Sequence, residues 1–365
     1  MKKRLFFLAI FLILTFPFVL GGVTPVTAAP QVTTATSPVP ILAYYYIWYD
    51  VSSWDRAKID TPLLGKYSSD DPAVMLQHIQ WAKAAGIKGF IVSWKSTDVL
   101  NRRLDQLAKL AAQEDFKLAV IYQGLDFNRN PLPVDRVSSD LAYFVEHFAP
   151  MPAFALFSKP LVIWSGTWMF SLQDIANVTQ PLRDKLLILA SERNLDRYTE
   201  LSASVDGNAY YWSSVNPDTN TGYADKLVKM GEAVHATHGL WIAPAAPGFD
   251  ARLVGGTSTV DRNNGDTFRT QINTALASSP DALGIISWNE FSENSYIEPS
   301  KNFASVYLDV LSQINSLPMP VIGEFDSSQP AAVYPQVLSH SRTIAVAAIG
   351  ILFIGSVLVI VTRRK

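Results

Sequence analysis

The sequence contains no cysteine among its 365 residues, which excludes disulfide bonds and thiolate metal sites. It also lacks a charge imbalance, since 30 lysine and arginine residues stand against 32 aspartate and glutamate residues. A near-neutral chain has no basic surface of the kind that binds nucleic acid, and we expect no nucleic-acid partner. For an exported chain, the absence of disulfides is more typical of a prokaryote than of an animal secretory pathway.

Several cofactor and nucleophile motifs are absent as well. No Gly-x-Gly-x-x-Gly follows the first predicted strand, and neither a P-loop nor a Gly-x-Ser-x-Gly pattern occurs, which argues against dinucleotide, NTPase and α/β-hydrolase chemistry. His235 and His238 are spaced like metal ligands, but they end a predicted helix and we interpret them as ordinary helix-terminal residues. The sequence therefore predicts neither a cofactor nor a metal site.

The N-terminal end resembles a secretory signal. Basic residues at positions 2–4 precede an apolar run over 5–20, and small residues at 26–29 offer cleavage sites. This order predicts a signal peptide over 1–29, followed by a disordered leader over 30–38 that is rich in threonine, serine and proline. An uncleaved N-terminal anchor is the alternative, and both interpretations imply export.

A second apolar run lies near the C-terminal end. Residues 343–362 carry no charge, and at about 1.5 Å per residue they are long enough for a membrane-spanning helix. The basic tail 363–365 follows, and positive charge collects on the cytoplasmic side. Residues 316–342, rich in proline and serine, predict a stalk. We expect a single-pass protein of the cell membrane with an extracellular domain and a cytoplasmic C-terminus.

The remaining residues, 39–315, alternate short β-branched or aromatic runs with amphipathic helical stretches. Eight such units in a chain of this size favour the α/β class and a closed (β/α)8 TIM barrel over an open sheet. The predicted strands are Ile41–Trp48, Ile87–Trp94, Lys117–Gln123, Pro160–Trp164, Leu186–Ala190, Asn208–Trp212, Leu240–Ala245 and Leu283–Trp288. The region around strands four and five shows the weakest pattern.

Aromatic residues concentrate where these strands end, the face on which barrel enzymes carry their chemistry. Flat apolar faces with polar edges suit sugar rings, so an oligosaccharide or polysaccharide partner is predicted. The alternative is that the rings close the barrel as core. The predicted substrate-binding residues are Tyr46, Trp48, Trp94, Tyr211, Trp212, Asp250, Asn289 and Tyr296.

Two glutamates, Glu290 and Glu293, follow the eighth predicted strand. If the segment coils, residues three apart share one face with Cβ atoms about 5–6 Å apart. Paired carboxylates at such a separation perform glycosidic cleavage, and their mutual repulsion keeps one protonated near neutral pH. An extended backbone would point them apart. Glu290 and Glu293 are the predicted catalytic residues, whereas Glu298 is interpreted as a structural residue that holds the loop.

The segment Trp288-Asn289-Glu290-x-x-Glu293, continued by Ile297-Glu298-Pro299, resembles the signature of glycoside hydrolase family 99, the endo-α-mannosidase family, and that of the related WbsX-type proteins of polysaccharide gene clusters. The similarity extends to Tyr44-Tyr45-Tyr46-x-Trp48-Tyr49, to Gly86-Ile87-Lys88-Gly89-Phe90, to Lys159-Pro160-Leu161-Val162 and to Ala246-Pro247-Gly248-Phe249-Asp250. These segments occur in the family's order and cover most of the predicted barrel.

The resemblance implies roles for the two glutamates. Glu293 would be the general acid/base, and Glu290 would deprotonate the sugar 2-hydroxyl, which gives retention through an anhydrosugar. The family has Trp and His between its glutamates, where this chain has Phe291 and Ser292, and its Gly-Thr-Gln is here 294–296. These departures put mannose specificity in question. The expected function is a membrane-anchored, endo-acting glycoside hydrolase; a WbsX-like role in surface-polysaccharide synthesis and a non-catalytic glycan-binding barrel are the alternatives.

Overall fold

The computed structural model describes residues 39–320 and residue 322. The predicted signal peptide, leader, transmembrane helix and basic tail, and most of the predicted stalk, lie outside the described residues. Within the described part, no helix is both long enough and apolar enough to cross a bilayer.

Eight parallel strands of the described chain close a barrel in the order β1-β10-β7-β6-β5-β4-β3-β2. They are β1 (Ile41–Tyr46), β2 (Gly89–Trp94), β3 (Lys117–Gln123), β4 (Leu161–Ser165), β5 (Leu187–Ala190), β6 (Gly207–Ala209), β7 (Leu240–Ala245) and β10 (Ala282–Ile285). Two short strands, β8 (Phe249–Asp250) and β9 (Thr259–Val260), form an antiparallel pair after β7. The predicted (β/α)8 barrel is confirmed.

Helices connect the strands, and their starts follow from local capping chemistry. In α1 the Asp71 side chain accepts a hydrogen bond from the backbone N–H of Ala73, and Pro72 takes the first helical position. A capping box of Ser171 and Asp174 begins α4. The helices are α1 (Pro72–Ala84), α2 (Asp98–Gln113), α3 (Val134–His147), α4 (Leu172–Thr179), α5 (Leu195–Leu201), α6 (Tyr223–Ala236), α7 (Asp266–Ala277) and α8 (Val306–Ile314).

Strand side chains alternate between two apolar layers, because parallel barrel strands are covered on both faces. In β1, Leu42 and Tyr44 pack inside the barrel, whereas Tyr45 packs in the layer beneath the helices. In β2, Ile91 likewise belongs to the inner cluster and Trp94 to the outer one. This alternation decides which residues at the strand ends reach the mouth of the barrel.

Candidate active site

The candidate site is built on the loop that follows β10. The N–H of Ser287 donates to the carbonyl of Ser295 at 2.6 Å, that of Ile297 to the carbonyl of Ser287 at 2.9 Å, and that of Glu298 to the carbonyl of Trp288 at 2.8 Å. These bonds join the two ends of the segment, so residues 289–294 project between them as one compact loop. Both candidate glutamates lie on it.

Asn289 anchors this loop to the end of β1. Its side-chain oxygen accepts from the N–H of Tyr46 at 2.8 Å, and its amide donates to the Tyr46 carbonyl at 3.0 Å and to the Tyr67 hydroxyl at 3.2 Å. The Tyr49 hydroxyl donates to the Asn289 carbonyl at 2.7 Å. The side chain of Asn289, predicted to bind substrate, is fully buried, and its amide group forms hydrogen bonds within the protein.

Glu290 is buried, with 4% of its surface exposed. Its N–H donates to the Ser287 hydroxyl at 2.8 Å, and its carboxylate accepts from the N–H of Ser292 at 2.9 Å. Burial, and then the nearby Glu293 carboxylate, raise the pKa of Glu290, while the Ser292 hydrogen bond and the Lys58 ammonium act in the opposite direction. Burial and Glu293 therefore favour the protonated form of the carboxyl group, whereas Ser292 and Lys58 favour its charged form.

Glu293 lies in the turn over 291–294 and is partly exposed at the mouth. Burial of the carboxyl group raises the pKa of Glu293 as well, and the Arg129 guanidinium opposes that rise. A carboxylate beside a second carboxyl group makes loss of the second proton harder, which favours the state with one carboxyl and one carboxylate. Combined acid and base catalysis requires such a state.

Two tyrosines face the glutamates. The hydroxyls of Tyr46 and Tyr211 lie 2.7 Å apart. Burial, joined by the charges of Glu290 and Glu293, raises the pKa of both phenols well above the usual value, so both stay protonated as hydrogen-bond donors. The ring of Trp48 lies 4.1 Å from that of Tyr46, centroid to centroid. The structure thus brings Tyr46, Trp48 and Tyr211 together with the glutamates, although they come from opposite sides of the barrel.

Trp94 and Tyr296, two other predicted substrate-binding residues, do not reach the mouth. Trp94 is fully buried, with its ring centroid 5.6 Å from that of Phe144 beneath α3, because the strand alternation turns it outward. Tyr296 is also fully buried; it stacks on Phe291 at 3.9 Å and donates its hydroxyl to Asp60 at 2.6 Å. The structure therefore does not bring either ring to the mouth, and both rings pack in the interior.

Asp250 contacts the glutamate loop, whereas Trp212 lies in a neighbouring pocket. The N–H of Asp250 donates to the Glu293 carbonyl at 2.8 Å, so its backbone helps to position the loop. Its carboxylate is bound by the Arg252 guanidinium at 2.6 Å and 2.9 Å, which holds the pKa of Asp250 below its usual range. Trp212 lines a pocket that it shares with Tyr211.

Three residues near the glutamate loop were not predicted from the sequence. Lys58 and Arg129 act on the charges of the glutamates from the loops after β1 and β3. Arg262, after β9, donates to the carbonyls of Tyr296 at 2.9 Å and Asn294 at 2.9 Å, and its guanidinium stacks on buried aromatic rings. No local motif marks any of the three, since each meets the loop only through the fold.

The glycine of the Ala-Pro-Gly-Phe-Asp segment makes room for Arg262. Gly248 has φ +156°, and a Cβ atom there would lie 2.4 Å from Cγ of Arg262. We expect Gly248→Ala to lower the free energy of unfolding by about 1–3 kcal/mol through overpacking and backbone strain, measured by denaturant titration. Gly222→Ala is the matched control, because its nearest neighbour would be 3.7 Å away; an equal loss in both variants would contradict this account.

The raised pKa of Glu290 predicts how stability depends on pH. Below the usual glutamate range the group is protonated in both the folded and the unfolded chain. As pH rises towards its raised pKa, the unfolded chain releases the proton first, so the free energy of unfolding falls. We therefore expect Glu290→Gln to melt at a higher temperature than wild type, by an amount that grows with pH, each pKa unit being worth about 1.4 kcal/mol.

Melting curves recorded from acidic to mildly alkaline pH test this expectation. Glu232→Gln, at an exposed position of α6, is the control and should remain parallel to wild type. A constant offset between wild type and Glu290→Gln across the pH range would show that Glu290 does not titrate as described.

Comparison with known proteins shows which family the chain belongs to. The chain matches the family model Glycosyl hydrolase family 99 over residues 49–321. It is 26% identical over 289 residues to a human glycoprotein endo-alpha-1,2-mannosidase-like protein, covering 70% of this chain and 61% of that protein. It is 24% identical over 275 residues to the glycoprotein endo-alpha-1,2-mannosidase of Rattus norvegicus, covering 68% and 59% respectively. The chain spans about three-fifths of the length of these relatives.

Two solved structures share the fold. A GH99 endo-alpha-mannosidase from Bacteroides thetaiotaomicron superposes with a TM-score of 0.68 at 22% identity, over 76% of this chain and 96% of that one. A glycoside hydrolase-like protein superposes with a TM-score of 0.62 at 17% identity, over 76% and 93%. Since the family model spans most of the chain and the same barrel is found, the chain belongs to glycosyl hydrolase family 99.

Proposed function

We propose that this protein is a retaining glycoside hydrolase that cleaves α-linked, mannan-like polysaccharide from within the chain. The observation that carries the proposal is the pair of glutamates on one compact loop after β10, the buried Glu290 and the partly exposed Glu293, with burial raising the pKa of both. The adjoining tyrosine hydroxyls and the ring of Trp48 offer hydrogen bonds and a stacking face to a sugar. Membership of the family supports the same chemistry.

In the proposed reaction, Glu293 donates its proton to the glycosidic oxygen as the C1–O bond breaks. Glu290 takes the proton of the 2-hydroxyl, and O2 forms a bond to C1, which gives an anhydrosugar. Water then attacks C1 and loses a proton to Glu293, while the C1–O2 bond breaks and O2 recovers its proton from Glu290. Both carboxyl groups return to their starting states, and the configuration at C1 is retained.

The substrate class is proposed from the relatives, whose names include endo-alpha-1,2-mannosidase. The residues of this chain that differ from the family motif lie in different environments. Phe291 is buried in the aromatic cluster under the loop, with its ring stacked on that of Tyr296. Ser292 is partly exposed and donates its N–H to Glu290. Phe291 therefore supports the loop, whereas Ser292 and the similarly exposed Asn294 are departures able to alter sugar selection.

The test is to incubate the purified protein with α-mannans, α-glucans and bacterial surface polysaccharides, and to identify the products by NMR. We expect oligosaccharides from an α-mannan, with the α-anomer formed first. Binding of glycan without products would favour a non-catalytic binding barrel. Transfer of sugar to an acceptor without hydrolysis would favour the WbsX-like role in polysaccharide synthesis.

We also propose that the barrel is held outside the cell by a C-terminal membrane helix. The proposal rests on the sequence of residues 1–29 and 343–365. Protease added to intact cells should release the barrel by cleavage within 316–342. Cleavage that occurs only after lysis would mean that the orientation is reversed, and release of the uncleaved chain by high salt would exclude a spanning helix.

A further inference from the structure

A pocket of about 540 Å³ opens beside the glutamates, at the C-terminal ends of β5 and β6. Tyr211 lines this pocket and also forms a hydrogen bond with Tyr46, so this side chain belongs to both the pocket and the candidate site. A sugar chain bound at the glutamates would therefore extend towards the pocket. A second cavity of similar size, about 530 Å³, lies at the opposite end of the barrel around Leu187 and Leu240, where it cannot serve the same chain.

Aromatic rings form much of the pocket wall. Trp168 and Trp212 are partly exposed, and the ring of Tyr210 stacks on that of Trp212 with centroids 5.2 Å apart. Partly exposed indole rings at a pocket wall are the surfaces on which sugar C–H faces pack. The pocket is large enough for one or two sugar residues.

Two cations without carboxylate partners stand against these rings. Nζ of Lys226 lies 4.8 Å from the ring centroid of Trp212 and 4.9 Å from that of Tyr210, and the Arg193 guanidinium lies 5.3 Å from the Trp168 ring. Their neighbours are neutralised: Arg197 pairs with Glu200 and Lys229 with Asp225. Among the described residues, neither Lys226 nor Arg193 forms an ion pair.

The pair of cations carries net positive charge into the pocket. Burial, and then the Arg193 charge, lower the pKa of Lys226, as expected for an ammonium group with a like charge nearby and no counter-ion. Contact with ring faces holds both side chains in place but does not neutralise them. An anionic group that enters the pocket would supply the missing partner.

Glu192 supplies a third polar group; its carboxyl group forms a hydrogen bond with Thr167, but one of its oxygens is left without a partner. Only 1% of its surface is exposed, and Oε1 has no hydrogen-bond partner in the described structure. The Asn208 side chain holds the backbone of Glu192: it accepts a hydrogen bond from the Glu192 N–H at 2.8 Å and donates one to the Glu192 carbonyl at 3.1 Å. Burial raises the pKa of Glu192, so the carboxyl group offsets the two cations less than an exposed one would. A buried carboxyl oxygen at a pocket wall is a ready acceptor for a sugar hydroxyl.

We propose that this pocket is a subsite for an acidic sugar residue, whose anionic group binds Lys226 and Arg193 while a hydroxyl donates to Glu192. Among α-linked, mannan-like glycans, those that carry uronic acid, phosphate or sulfate groups would then bind more tightly than neutral ones. This inference rests on the proposed glycosidase function in one respect only: the sugar chain bound at the glutamates is taken to extend into the pocket. The affinity of the pocket for acidic sugar can be measured without any turnover.

The experiment measures binding by titration calorimetry to a neutral α-mannooligosaccharide and to three acidic counterparts that carry a uronic acid, a phosphate or a sulfate. We expect at least one acidic form to bind on the order of tenfold more tightly than the neutral one, the worth of one charge-assisted contact. The preference should shrink in high salt, since part of the pocket is open to solvent. Comparison of the three acidic forms identifies the anion.

Lys226→Gln should reduce the ratio of acidic to neutral affinity to near one, and Arg193→Gln should lower it in part. Lys229→Gln is the matched control, because it removes the same charge from the same helix outside the pocket, and it should keep the wild-type ratio. Equal binding of neutral and acidic glycans by wild type, or an unchanged ratio in Lys226→Gln, would overturn the subsite. Acid-selective binding without hydrolysis of any glycan would instead overturn the proposed function and leave the subsite standing.

Discussion

Replacing Glu293 with glutamine is expected to lower turnover by about 10²–10⁴-fold, the usual worth of general acid–base catalysis. Glutamine keeps the size of the side chain and most of its hydrogen bonding but has no proton to give to the leaving oxygen. Substrates with a good leaving group need little protonation, so they should recover part of the loss. Glycan binding should persist, because Trp48 and the tyrosines beside it are unchanged.

Glu290→Gln separates the two proposed roles. Its turnover should fall by a comparable factor, about 10²–10⁴-fold, but a good leaving group should not restore it, since activation of the 2-hydroxyl is still missing. Steady-state kinetics on one glycan and one activated glycoside, with binding measured on the same proteins, distinguish these patterns. Full turnover in both glutamine variants would exclude the Glu290–Glu293 mechanism, and rescue of Glu290→Gln rather than Glu293→Gln would exchange the roles.

Glu298→Ala is expected to have the largest effect on folding. Nε2 of His78 and the Tyr67 hydroxyl lie 3.0 Å and 2.9 Å from the two Glu298 oxygens, and the side chains of Glu298 and His78 are fully buried. The Tyr45 hydroxyl completes the chain of hydrogen bonds at 2.9 Å from His78. Removing one partner leaves buried polar groups unsatisfied, so the free energy of unfolding should fall by about 3–5 kcal/mol.

Chemical denaturation monitored by tryptophan fluorescence measures this change. Glu114→Ala is the control, because it breaks the solvent-accessible ion pair with Lys83, and such pairs contribute about 0–1 kcal/mol. A loss in Glu298→Ala no larger than that of the control would mean that the buried network does not hold the loop.

Most of the fold could be predicted from the sequence because barrel strands carry strong local patterns. β3 and β7 begin and end where the sequence predicts. Strand ends were less predictable: β10 ends at Ile285 rather than Trp288, and β6 at Ala209 rather than Trp212. Aromatic residues favour strands intrinsically, but pairing stops where the neighbouring strand turns away. The short helix α5 was not predicted; it follows β5, in the region where the sequence pattern of strands and helices is weakest.

The sequence by itself determined that the chain is an α/β barrel with two glutamates at the end of its last barrel strand, because alternation, capping and spacing are local properties. Only the tertiary structure decided which side chains share the site. The alternation of side chains along β2 places Trp94 in the layer beneath the helices. Asn289 points into the protein because its side chain forms hydrogen bonds with the backbone of Tyr46. Contacts between distant segments bring Tyr211 to Tyr46. Such placements depend on register and burial in three dimensions, which no single stretch of sequence encodes.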